Sequence, residues 1–310
     1  MNLNLVKKIA DAVLYEGYLL YPYRPSAIKN RRRFNFGVVH PRDYGLAHDE
    51  LFCMQTECLA TGNRRMALDA RVRFLHMTAR EGWQEAVERE VDAPDLNVAD
   101  LLASPRQVNF AFPLKQEEKG AGERPEQETI SGSIDINAHQ LAEQVFKITV
   151  RILNLTPLAE APSVSRDEAL TRSMVSTHAI LAARGGEFVS LLDPAEPWRE
   201  MAGSCSNIGT YPVLVGAEGE RDAMLSSPII LYDYPQIAPE SAGDLFDGTE
   251  IDEMLTLRIL TLTDEEKREM RARDERARRI LERTESLPAE QLMKLHGAAR
   301  CLRQVEDGAR

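Results

Sequence analysis

TISGSIDINA (Thr129–Ala138) is followed after a six-residue gap by VFKITVRIL (Val145–Leu153). In the first stretch Ile130, Ile134 and Ile136 fall on one side of an extended chain, and in the second Phe146, Ile148, Val150 and Ile152 do the same. Strand side chains point alternately to opposite faces, so this period of two describes a pair of strands with one face buried, the habit of antiparallel sheets. The pattern extends backwards. In LFCMQTECLA (Leu51–Ala60) the residues Phe52, Met54, Thr56 and Cys58 share a face, as do Ala70, Val72, Phe74 and His76 in ALDARVRFLHMT (Ala67–Thr78). Alternation thus runs from FNFGVVHP (34–41) to Thr156. Two pieces interrupt it: EGWQEAVEREV (81–91), which its acidic character marks as a helix, and the polar loop KQEEKGAGERPEQET (115–129).

A helix over residues 3–20 precedes the sheet. Leu3, Val6, Ala10, Val13 and Leu14 form one apolar stripe, with Ile9 at its edge, until YPYRPS (21–26) stops it. After the sheet, LTPLAEAPSVS (155–165) is a linker. Ser165 and Glu168 then make a capping box that opens a helix expected to run to Gly185 or Gly186. Short strands are expected at EFVSLL (187–192), YPVLVG (211–216) and PIILYDY (228–234), and helices from Thr249, Thr263 and Pro288. The expected fold is α+β. An N-terminal helix and an antiparallel β-rich half, sandwich-like or a curved sheet, occupy 1–156. A mixed α/β segment and a helical C-terminal third occupy 165–310, and the two parts can pack as one domain.

The chain of 310 residues carries a formal net charge of −11. The first 40 residues hold seven basic side chains against Asp11 and Glu16, a net +5, which leaves −16 for the other 270. An acidic body disfavours non-specific binding to DNA or to an anionic membrane. Four scattered cysteines do not make a disulfide framework, and no apolar run approaches the roughly 20 residues of a membrane span. The N-terminus lacks a signal-peptide core, so a cytoplasmic location is expected.

Several groupings carry possible chemistry. His40, His48 and Cys53 stand in VVHPRDYGLAHDELFC (38–53), and two imidazoles with a thiolate or carboxylate can hold a metal ion. Such residues also serve turn chemistry, and no cofactor is expected beyond the possibility of that ion. Cys53 and Cys58 point to opposite faces of a strand, which favours two buried thiols over a shared ligand. Cys205, in GSCSNIGTYP (203–212), can be paired with His178 as base and with Asp193 or Asn207 to orient it, the components of a Cys–His enzyme. The bland reading of His178 is a hydrogen-bonded residue beside an apolar stripe. The glycine stretches ARGGEF (183–188) and GAEGERD (216–222) match no phosphate-binding loop. The charged run from Asp264 is either a solvated helix or a partner-docking one. Finally, YEGYLLYPYRPSAIKNRRR (15–33) sets tyrosines among cations. Tyr21, Tyr23, Arg24, Arg31, Arg32 and Arg33 are read as a protein-binding surface rather than a nucleic-acid one, because the rest of the chain is acidic.

The strings VLYEGYLLYPYRPSAIKNRRRFNFGVVHP (13–41), GTYPVLVG (209–216), SSPIILYDYPQIAPES (226–241) and GDLFDGTEIDEMLTLRILTLTDEEK (243–267) cover about a third of the chain. They resemble a bacterial protein family associated with gene clusters for uptake nickel–iron hydrogenases of the high-affinity, actinobacterial type. The resemblance carries no catalytic residues over. It implies a cytoplasmic accessory protein for hydrogenase assembly or maturation, whose partner is a hydrogenase subunit or another maturation protein. Taken with the absence of a catalytic signature, the expected function is non-enzymatic protein binding. The alternative is a metal-binding or Cys/His-dependent enzyme serving cofactor insertion.

Overall fold

The computed structural model describes residues 3–15, 36–80, 83–113 and 129–236, with positions 264, 267, 268, 271, 278, 281, 282, 285 and 286. By contact density the chain divides into one unit of Met1–Leu20 with Pro25–Gln236, and a second of Tyr21–Arg24 with Ile237–Arg310. The expected helices starting at Thr249 and Pro288 fall outside the described residues. In the second unit the described positions from 264 to 285 are helical, and Glu285 is paired with Lys267 at 3.2 Å and Arg271 at 2.7 Å.

The first unit is mixed α and β, built on one large antiparallel sheet. Its spine is β1, Cys53–Arg80. One edge of β1 pairs first with β5 (Val145–Asn154) and farther along with β2 (Trp83–Asn97). The other edge pairs with β6 (Val175–Phe188). With β3 (Arg106–Phe112), β4 (Ile130–Ala142), β7 (Tyr211–Leu214) and β8 (Ala223–Ser227), the order is β3-β4-β5-β1-β6-β8-β7. Strands from both sides of the 155–165 connection therefore share one sheet. Its pairing opens between Gly62 and Ala67, where Gly62 faces Gly186.

The sheet curls. Phe74, on the far half of β1, lies 6.1 Å from Phe110 and 5.7 Å from Phe112, both on β3, a strand three places away in the order. The inner face so enclosed holds the isoleucines of β4, the alternate residues of β5, and Cys58, Val72 and Phe74 of β1. Each such side chain taken from water contributes about 1.5–3 kcal/mol. Helix α1, Leu3–Tyr15, covers part of the outer face, where Val6, Ile9, Ala10 and Val13 meet Val213, Val215, Ala223 and Leu225.

Several expectations are corrected. The 81–91 piece is not a helix: its described part belongs to β2, where Glu88, Glu90 and Asp92 alternate outward against arginines of β1. Charge density was a poor guide because those carboxylates are cross-strand partners. The helix capped by Ser165 ends early, as α3 (Arg166–Thr171), and residues 175–188 are strand β6. Ala179 and Leu181 face the inner core while Ile180 faces α1, so apolar residues occupy both faces, and an unbroken apolar run does not distinguish helix from strand. Of the three short strands, YPVL is β7, EFVSLL contributes only the end of β6, and PIILYDY is not a strand. The segment 42–48 is a short helix, α2 (Arg42–His48), followed by Asp49 in the left-handed conformation.

Gly132 interrupts the apolar run of β4 for a steric reason. It pairs with Phe110, and a Cβ there would lie 2.5 Å from both the Leu153 carbonyl oxygen and the Phe110 ring. Gly132→Ala is expected to lower stability by about 1–3 kcal/mol in urea denaturation. An unchanged midpoint would contradict this packing.

Candidate functional site

His40 precedes α2, and one helical face carries Tyr44 and His48 after it. The Tyr44 ring stacks on His48 at 4.2 Å and lies 5.0 Å from His40. Ser173 Oγ donates to the Ala169 carbonyl at 2.7 Å, so it accepts from Nδ1–H of His40 at 3.0 Å. That leaves His40 Nε2 as a buried lone pair with no hydrogen-bond partner among the described residues, 4.0 Å from Glu50. Burial, helped by Arg166 and His48, lowers the His40 pKa to about 4. His48 Nε2 donates to the Ala161 carbonyl at 3.0 Å, while Arg151 Nε donates to Cys53 Sγ at 3.1 Å. His40, His48 and Cys53 are therefore engaged separately. Among the described residues no three His, Cys, Asp or Glu side chains are grouped to hold a metal ion.

Cys205 sits in a loop docked on the outer side of β1. Glu57 accepts from Ser206 N at 2.8 Å and pairs with Lys147 at 3.3 Å, while Asn207 Oδ1 accepts from Glu57 N at 2.8 Å. Burial, then the Glu57 carboxylate, pushes the Cys205 thiol up to about 11, so it stays protonated at neutral pH. His178 lies elsewhere, opposite Arg73, sixteen positions farther along β1 than Glu57. The structure does not bring Cys205 and His178 together, and Asn207 orients Glu57 instead of an imidazole. Cys58 is sealed in the core, and burial raises its thiol pKa far above the ordinary value.

Around His178 the sheet carries a buried charge cluster that the sequence reading did not single out. Arg73, only 5% exposed, bonds Asp11 of α1 at 2.6 Å and approaches Glu88 at 3.5 Å and Glu90 at 3.6 Å. Its one sequence signal is an arginine set between Val72 and Phe74. His178 is fully buried; its Nδ1–H donates to the Ser176 carbonyl at 2.9 Å, and burial lowers its pKa to about 4. Ser176 has φ +53, a strained value away from glycine. Its N–H donates to the Phe36 carbonyl at 2.8 Å and its hydroxyl to the Val13 carbonyl at 3.5 Å. Val13 and Phe36, on either side of residues 16–35, are thus fastened to one serine. Tyr21, Tyr23, Arg24, Arg31, Arg32 and Arg33 themselves lie outside the described residues.

Two surface features remain. The two glycine stretches meet in a groove of about 610 Å³ lined by Gly185, Gly186, Gly219, Glu187, Glu220 and Asp222 among others. Three carboxylates against the single guanidinium of Arg221 make it a poor cradle for phosphate. The second feature follows β8. Ile229 and Leu231 pack against the α1 cluster, whereas Ile230 and Tyr232 are 73% and 86% exposed. The segment is held firmly: Asp233 accepts from Leu214 N at 2.7 Å and from Ser190 Oγ at 2.5 Å, and Tyr234 N donates to the Leu214 carbonyl at 2.8 Å.

No family model and no curated protein matches the chain. Among the described residues no helix is long and apolar enough to cross a membrane.

Two outcomes are expected. Cys205 should alkylate at neutral pH on the order of a hundredfold more slowly than an unperturbed thiol, and Glu57→Gln should recover part of that factor. Peptide-level labelling with iodoacetamide measures both. Because His40 titrates lower in the folded chain than unfolded, its stabilising contribution is complete above pH 6.5 and is lost as pH falls toward 4. By about pH 5 the loss from His40 reaches ~2 kcal/mol, and His40→Gln should flatten the pH dependence of urea stability by that amount.

Proposed function

We propose that this chain is an accessory protein that binds a hydrogenase subunit, or another maturation protein, during assembly or maturation of a nickel–iron hydrogenase. The observation that carries the binding half of this reading is the display of Ile230 and Tyr232. Two large apolar side chains stand in water on a backbone that Asp233 and Tyr234 pin in place. A fixed apolar pair loses little entropy on docking, and buried tyrosines are among the side chains that dominate protein contacts. The tyrosine- and arginine-rich stretch 15–33 has the composition of a second contact. The hydrogenase setting is supported by the sequence resemblance.

The imidazoles and thiols that favoured an enzyme are better explained as structural groups. His40 and His178 are uncharged, each with Nδ1 committed to a local acceptor, and the Cys205 thiol is protonated.

Affinity capture from cells expressing the hydrogenase, with mass spectrometry of the bound proteins, tests the proposal. The native chain should recover a hydrogenase subunit or maturation protein. Ile230→Asp with Tyr232→Asp should lower that recovery at least about tenfold. Arg31, Arg32 and Arg33 changed together to Ala should weaken it further at low salt, with the difference from the native chain shrinking as salt rises. Failure to recover any hydrogenase-related protein removes the setting, and recovery indifferent to the double substitution removes the surface.

A further inference from the structure

We propose that His178 is the trigger of a proton-operated latch: uncharged, it keeps helix α1 seated on the sheet, and protonated, it unseats that helix while the sheet stays folded. This stands independently of the hydrogenase reading.

The geometry is specific. Arg73 and His178 are direct partners across β1 and β6, both are buried, and α1 meets this position through Asp11 on Arg73 and Val13 at Ser176. Each is left with an unused polar atom. Nδ1–H of His178 donates to the Ser176 carbonyl, so Nε2 carries only a lone pair, and among the described residues neither it nor Nη1 of Arg73 has a hydrogen-bond partner. The site is at rest only while the imidazole is neutral. A proton on Nε2 would place a second cation beside the buried guanidinium, with no acceptor in contact.

The groups facing this position can be named from each neighbouring element. β1 presents Arg73, which opposes protonation, and β2 presents Glu88, which favours it. Glu90 of β2 and Asp11 of α1 reach the site through their contacts with Arg73. β6 itself presents the Ser176 carbonyl, and β8, pairing from Ala179 with Ser226, brings no charge. Three carboxylates do not overcome the burial, because each is more than a quarter exposed and already spends its field on Arg73.

The consequence falls on α1 because its polar contacts gather beside the site. Asp11 holds Arg73, and the Val13 carbonyl lies 3.5 Å from Ser176 Oγ, two residues from His178, while the rest of its seat is the apolar cluster shared with β7 and β8. Lifting α1 gives the imidazolium water without disturbing the inner core, whose side chains from β4, β5 and β1 lie on the other face of the sheet.

Amide exchange of the full chain between about pH 7.5 and 4, corrected for intrinsic rates, tests the latch. Amides of α1 should exchange through an opening distinct from, and more frequent than, that of β4 and β5. Its equilibrium constant should rise about tenfold per pH unit below 6.5 and level off near 4, roughly 300-fold in all. His178→Gln should remove that slope. Asp11→Asn should raise α1 opening at every pH by a constant factor and keep the slope, and His40→Gln should leave the α1 curve in place. The proposal is overturned if α1 and the sheet share one opening constant throughout, or if the slope survives in His178→Gln. It is equally overturned if the slope vanishes in Asp11→Asn, since the titrating group would then be the carboxylate.

Discussion

One strand governs this molecule. β1 is 28 residues long; one edge is hydrogen-bonded to β5 and then to β2 along nearly its whole length, and the other edge is paired to β6 over its middle. A strand so placed cannot slip by one residue, because a slip would exchange every core side chain for a solvent-facing one on three partners at once. The long strand must also bend for its far half to meet β3. The opening between Gly62 and Ala67, with glycine on both β1 and β6, supplies that bend where side chains would obstruct it.

From this constraint the two faces acquire different chemistry. The inner face is closed by the curl and is almost wholly apolar. The outer face of the same strands carries arginines, paired across to the carboxylates of β2, and one of those arginines is roofed by α1. Arg73 is the point at which helix, spine and β2 are tied together. Without Asp11 the guanidinium would still have Glu88 and Glu90 beside it, so the contact with α1 is what would be lost. The group therefore specifies where α1 sits more than it adds to total stability.

The groups that invite a catalytic reading lose it through burial. An imidazole inside the protein stays neutral and a thiol stays protonated because the charged form is deprived of water. His40, His178, Cys58 and Cys205 all follow this rule. What the molecule offers outward is of another kind: an apolar pair on a fixed segment, an acidic groove, and, anchored at Ser176, the roots of a basic and aromatic stretch.

The alternation in β4, β5 and β1, the stripe of α1, the caps at Ser165 and the opposed faces of Cys53 and Cys58 could all be read from residue order. Each reflects a local period that the chain carries whatever surrounds it. Which strands pair, and that 175–188 and 83–91 are strands at all, came from the tertiary structure. β6 is apolar on both faces because it lies between a core and a helix supplied by distant parts of the chain. The carboxylates of β2 alternate because arginines stand opposite. Likewise the sequence left open whether Cys205 and His178 meet, and only the fold sets them at positions far apart along β1, beside Glu57 and opposite Arg73. Burial on two faces and pairing across strands belong to the assembled neighbourhood and leave no period in the sequence that makes it.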